Sequence, residues 1–106
     1  KLSVAIATFN EEENIGDCLN SVQRLADEIV VVDGDSADKT VQIAKKYGAR
    51  VISTTNKTMF HTNKQMAIDA CKGKWILQLD ADERVSSGLK KEIIKVTSHK
   101  TKFSGF

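Results

Sequence analysis

Apolar residues along the chain arrive in short dense runs, each followed by a polar cluster and then by a stretch in which apolar positions recur three or four apart. Leu2 to Thr8 (LSVAIAT) predicts a strand, and Ile15, Cys18, Leu19 and Val22 then follow at helical spacing. Asn10 with Glu13 three residues on has the pattern of a capping box opening that helix. Ile29 to Val32 (IVVV) predicts a second strand, closed by Asp33-Gly34-Asp35-Ser36. Val41, Ala44 and Tyr47 step by three toward Gly48, a common helix stop. Arg50 to Thr54 (RVIST) predicts a third strand, and a helix around Asn63 to Lys72 ends at Gly73. Trp75 to Leu79 (WILQL) predicts a fourth, before a helix capped by Ser86 or Ser87 with Leu89, Ile93 and Val96 inward. Strands apolar nearly throughout, rather than alternately, belong to a parallel sheet covered on both faces. The expected fold is therefore α/β, a Rossmann-like and mainly parallel sheet with helices on both sides, without a linker or internal repeat.

Composition narrows the picture in three ways. With 106 residues and 41% hydrophobic content, one domain with one core is expected. A net charge of +2, with both signs spread along the chain, leaves no basic stripe for nucleic acid. Cys18 and Cys71 lack CxxC spacing and fall on predicted apolar helix faces, so they read as small hydrophobes in a reducing, cytoplasmic setting. The apolar runs are far shorter than the ~18 residues of a membrane span, and no charged-then-apolar leader precedes Leu2. A start at Lys1 and an end in a possible strand, Phe103 to Phe106, suggest part of a longer chain, with an exposed edge that favours self-association.

The stretch LQLDADERV, residues 77–85, ends an apolar run in Asp80, Asp82 and Glu83. Acids crowded there need a compensating cation. Open α/β sheets bind ligands beyond the carboxyl ends of their strands, where this sequence puts Thr8-Phe9-Asn10-Glu11, Asp33-Gly34-Asp35 and Asp80-Ala81-Asp82-Glu83. In an extended segment Asp80 and Asp82 would face the same way, as hard oxygen donors suited to Mg²⁺ or Mn²⁺ carried with a phosphate. Lys64, on the preceding helix, is available to an anion. Each residue also has a plainer reading: Asp33 as a turn residue, Asp35, Ser36 and Asn10 as helix caps, His61 and His99 as surface residues, and Met66 and Trp75 as core. EF-hand spacing fails from Asp33, with Ala37 and Ala44 at ligand positions, and from Asp80, with Arg84 and Lys91 there. Neither a dinucleotide fingerprint nor a P-loop follows the first strand.

Taken in order, SVAIATFNEEENI, EIVVVDGDSADKT and GKWILQLDADE resemble the N-terminal half of family 2 glycosyltransferases of GT-A fold, especially bacterial members that build lipopolysaccharide core. The resemblance covers nearly the whole chain. It implies transfer of a sugar, with inversion, from a nucleotide diphosphate such as a UDP-sugar to a surface glycan or glycolipid acceptor, assisted by Mn²⁺ or Mg²⁺. It further implies that Thr8, Asn10 and Glu11 line the nucleotide pocket with Asp33 on the uracil side. Lys64 would approach the diphosphate, and Asp80 and Asp82 would form a DxD meeting ribose and metal. Gly34 stands where family members often carry a second acid. The general base is expected outside these residues, which represent the donor half, inactive alone. Two other classes stay open: a metal-dependent nucleotidyltransferase, which would normally show a Gly- and Arg-rich loop in place of the acidic NEEEN, and a non-catalytic nucleotide-binding domain. The basic tail LKKEIIKVTSHKTKF fits either peripheral contact at the inner face of the cytoplasmic membrane or a solvated lysine face.

Overall fold

The computed structural model describes residues 1–55 and 59–98. Among them four strands, β1 (Leu2–Thr8), β2 (Glu28–Asp33), β3 (Arg50–Ser53) and β4 (Trp75–Asp80), alternate with four helices, α1 (Ile15–Val22), α2 (Thr40–Lys46), α3 (Phe60–Ala70) and α4 (Ser87–Ser98). The strands pair in parallel in the order β3-β2-β1-β4, so the expected α/β sheet forms with β1 and β2 inside it.

The pleat sends successive residues to opposite layers. Leu2, Val4 and Ile6 of β1, Ile29 and Val31 of β2, and Trp75, Leu77 and Leu79 of β4 meet Ile15, Cys18, Leu19 and Val22 of α1, Ala44 of α2 and Ile93 of α4. Ala5, Val30 and Val32 point the other way, onto Ala67 of α3, with Ile52, Met66 and Ile76 at the margin. Both faces are thus covered, which is why the strands read as continuous apolar runs.

Several element details differ from the sequence expectation. Asn10 does not cap α1: the helix starts at Ile15, after a turn in which Asn14 and Ile15 donate to the Glu11 carbonyl at 3.0 and 2.8 Å. α3 starts at Phe60, ahead of the expected Asn63, and ends at Ala70. Cys71 therefore lies past the helix in extended backbone and is only partly buried, whereas Cys18 is fully buried in α1. Ser86 does cap α4, its hydroxyl accepting from Leu89 N–H at 3.1 Å. Leu89 and Ile94 stay 43% and 55% exposed, so the inward stripe of α4 is Ile93 with Val96 beside it. No helix among the described residues is long and apolar enough to cross a membrane. His99 and the strand expected at Phe103 to Phe106 lie outside the described residues.

Candidate functional site

The parallel register sets three polar strand ends side by side: Thr8 opposite Asp33, and Ala7 opposite Asp80. The site is built outward from that edge in three levels.

The innermost level is Thr8 and Asp33, both buried. The Thr8 hydroxyl donates to Asp33 Oδ1 at 2.7 Å, the Ser36 hydroxyl to the same oxygen at 2.6 Å, and the Ser36 N–H to Oδ2 at 2.9 Å. A carboxylate removed from water needs such donors, and three are supplied. Asp33 thereby fixes the turn after β2, which passes through Asp35 at a φ of 67°. Its oxygens face this turn.

The second level joins the loop after β1 to the loop after β2. Asn10, at a φ of 52°, donates its N–H to Ser36 Oγ at 2.8 Å and accepts from Ala37 N–H through Oδ1 at 2.8 Å. Glu11 N–H donates to Thr40 Oγ1 at 2.8 Å, and Glu12 N–H to Asp38 Oδ2 at 3.1 Å. Lys39 N–H returns to Glu12 Oε2 at 3.2 Å. This is why the capping-box pattern fails: the Asn10 side chain is committed to the other loop. Burial pushes the Asp38 carboxyl up, but the Thr40 hydroxyl and neighbouring amides outweigh it and hold the group below its ordinary value.

The outer level is a cleft of about 310 Å³ lined by Ala7, Glu11, Phe60, Lys64, Asp80, Ala81 and Asp82. The cation that answers the acids is within the chain: Lys64 Nζ lies 2.9 Å from Asp80 Oδ1. That hydrogen bond, opposed by partial burial, holds the Asp80 carboxyl below the usual carboxylate range. Both side chains keep contact with water, so the pair itself contributes no more than about 1 kcal/mol to stability. Asp80 to Glu83 is a turn rather than extended chain, since Glu83 N–H donates to the Asp80 carbonyl at 2.9 Å. Asp80 and Asp82 share the cleft because of this turn, not through the alternation of a strand. Beneath them the Cys18 thiol donates to the Asp80 carbonyl at 3.7 Å, and burial pushes its pKa up to about 11.

Of the residues singled out from sequence, Glu11, Lys64, Asp80 and Asp82 meet in one cleft. Thr8 and Asp33 lie buried at the strand ends, and Asn10 lines an adjoining acidic hollow with Glu12, Glu13 and Asp38. Sequence reasoning missed Phe60, four residues before Lys64 and hence on the same helix face; it counted Glu83 among the clustered acids but not its reciprocal hydrogen-bond pair with Asp80, which the i, i+3 spacing permits. A slightly larger hollow, about 370 Å³, lies against α1 and α4 and is lined by Arg24, Leu25, Lys90 and Ile94 among others, without a carboxylate.

A divalent cation can be tested against this donor set. Among the described residues no three His, Cys, Asp or Glu side chains converge as a closed cage. Two carboxylates beside one lysine suit instead an open site for a hard cation that takes its remaining ligands from water and a substrate phosphate. The residues fit such a group.

Comparison with known proteins identifies the family. The family model described as Glycosyl transferase family 2 matches residues 3–102. An uncharacterized glycosyltransferase of Rickettsia bellii is 44% identical over 93 residues, which cover 88% of this chain and 31% of that protein. The lipopolysaccharide core biosynthesis glycosyltransferase LpsC of Rhizobium meliloti is 34% identical over 93 residues, 84% of this chain and 34% of that protein. The crystal structure of S. aureus TarS 1-349 in complex with UDP superposes with a TM-score of 0.79 at 29% identity, over 93% of this chain and 32% of that one. The chain spans about a third of the length of the curated relatives it matches.

Proposed function

Since the chain belongs to glycosyl transferase family 2 and carries the parallel sheet of a GT-A enzyme, we propose that it supplies the donor side of a transferase moving a sugar from UDP to a surface-glycan or lipopolysaccharide-type acceptor. The observation that carries this reading is that one cleft at the carboxyl edge of the sheet is lined by Glu11, Lys64, Asp80 and Asp82 together. The UDP bound to TarS supports the nucleotide, and the name of LpsC supports the acceptor class.

In this reading Asp82 and Asp80 would hold Mn²⁺ or Mg²⁺. Bound there, such an ion would supply positive charge to offset the negative charge growing on a departing diphosphate. Lys64 moves its ammonium from Asp80 to a diphosphate oxygen. Glu11 and Asn10, on the loop after β1, border the nucleoside, with Thr8 at the strand end behind them. Asp33 shapes the base side indirectly, through the Ser36 turn that its carboxylate fixes. Inverting displacement also needs a base within hydrogen-bond reach of the acceptor hydroxyl. None of these acids is given that role, because Asp80 and Asp82 serve the donor and Asp33 is buried. In this reading the base and the acceptor pocket belong to segments outside these 106 residues, as the chain spans only about a third of the length of its relatives.

The test is calorimetric titration of UDP with and without Mn²⁺ into the wild-type chain and Asp82→Asn. An exposed carboxylate in a turn contributes little to stability, so the variant should stay folded. It should lose the Mn²⁺-dependent part of UDP binding. Equal affinity in the two proteins would return Asp82 to an ordinary turn residue.

A further inference from the structure

Of the three carboxylates in the Asp80 to Glu83 turn, one is unlike the others. Asp80 faces Lys64, Asp82 faces the cleft, and Glu83 does not line the cleft at all. Its side chain folds back instead, Oε1 accepting from the Asp80 N–H at 2.7 Å, while its own N–H donates to the Asp80 carbonyl at 2.9 Å. Glu83 thus closes a ring of two hydrogen bonds around the residues that carry the Asp80 and Asp82 side chains. This is the geometry by which a Glu three residues on satisfies an otherwise unpaired amide at a helix start, used here at the end of a strand.

We infer that Glu83 is a positioning residue for the donor site: it does not touch cation or nucleotide but holds the turn that presents Asp80 and Asp82 together. The inference rests on the reading of those two residues as the metal-diphosphate pair. The physical need is clear from the charges. Asp80 and Asp82 repel each other, and β4 ends at Asp80, so the pleat no longer fixes the backbone beyond it. Without the Glu83 bond the Asp80 amide is open to water and the turn keeps a single closing hydrogen bond. Two carboxylates on a loosened turn would have to be ordered when a cation binds, which weakens binding without removing any ligand.

The role makes a demand that a charge effect does not. A hydrogen-bond acceptor is required at Oε1, but a negative charge is not, so glutamine should serve where alanine fails. Two quantities are measured in the wild-type chain, Glu83→Ala and Glu83→Gln: amide hydrogen exchange at Asp80, and the affinity for UDP in the presence of Mn²⁺. In the wild type and the glutamine variant the Asp80 amide should be protected and the affinities should agree within about twofold. In the alanine variant exchange should quicken, and affinity should fall about tenfold, as the loss of one ordering hydrogen bond implies. Affinity as low in Glu83→Gln as in Glu83→Ala would assign the effect to charge and overturn the inference, as would wild-type affinity in Glu83→Ala. Fast exchange at Asp80 in the wild-type chain would remove the clamp while leaving the metal reading standing. A protected amide with no Mn²⁺-dependent UDP binding in the wild type would instead show that the metal reading has failed, and the positioning role with it.

Discussion

At Cys18 the surroundings do the opposite of what makes a cysteine reactive. Its thiolate would sit among Ile15, Leu19 and the strands, where burial dominates; Arg84 favours the charge, and Glu83, Asp82 and Asp80 oppose it. The pKa rises from 9.0 to about 11, so the folded chain keeps a proton that the unfolded chain gives up earlier. Stability from this group is complete below the unfolded value and is lost as pH rises from there through about 11. Thermal melts of the wild type should therefore show Tm falling between pH 9 and 11, and Cys18→Ala, though less stable at neutral pH, should show a flatter decline. Iodoacetamide at pH 8 should modify the partly exposed Cys71 well before Cys18, read by mass spectrometry. Equal rates for the two thiols in the folded chain would mean that α1 opens far more readily than its packing implies.

Gly73 shows how an element boundary can be legible for the wrong reason. As a glycine after an apolar helix it reads as a helix stop, yet α3 has already ended at Ala70. Gly73 lies against β1: its N–H donates to Ser3 Oγ at 2.8 Å, and a Cβ there would come within 2.5 Å of that oxygen and 2.9 Å of the Ser3 nitrogen. Ser3 in turn donates to Glu28 Oε1 at 3.0 Å, which also accepts from Lys72 N–H at 2.9 Å. Gly73→Ala must push the chain off the amino end of the sheet and should destabilise by about 1–3 kcal/mol, measured by urea denaturation. An unchanged midpoint would show that this contact yields at no cost. The same distinction runs through the other elements. Strands and helices were legible because their cores impose a period: Ile15, Cys18, Leu19 and Val22 are all buried, as their spacing predicts. The candidate acids were legible because the topology forces strand ends together. What could not be read were contacts between loops about 25 residues apart, such as Asn10 with Ser36 and Ala37, because nothing local marks them. Leu89 was misplaced because a helix with apolar residues at 89, 93, 94 and 96 offers more than one stripe, and only packing chooses between them.

For the whole molecule, the cleft acids Glu11, Asp80 and Asp82 lie at the carboxyl edge of the sheet, whereas Lys90, Lys91 and Lys95 lie on α4 with Glu92 among them and Leu89 and Ile94 exposed beside them. If α4 meets an anionic bilayer, the chain should co-sediment with phosphatidylglycerol vesicles at low salt and be released at high salt. Absence from the pellet at either salt would leave α4 as a solvated lysine face. On the proposed reading these residues alone should bind UDP weakly with Mn²⁺ and transfer no sugar; transfer to any offered acceptor would mean that a base lies within them, with Glu11 and Glu83 the first to replace. The stitching of the loop after β1 to the loop after β2 reaches beyond ligand binding. Asn10, Glu11 and Glu12 are held by Ser36, Ala37, Asp38 and Thr40, so neither loop has a shape of its own to donate. Anyone recombining relatives to change donor preference would be cutting a seam. A graft of residues 9–14 from one enzyme into another should work only when residues 34–40 travel with it.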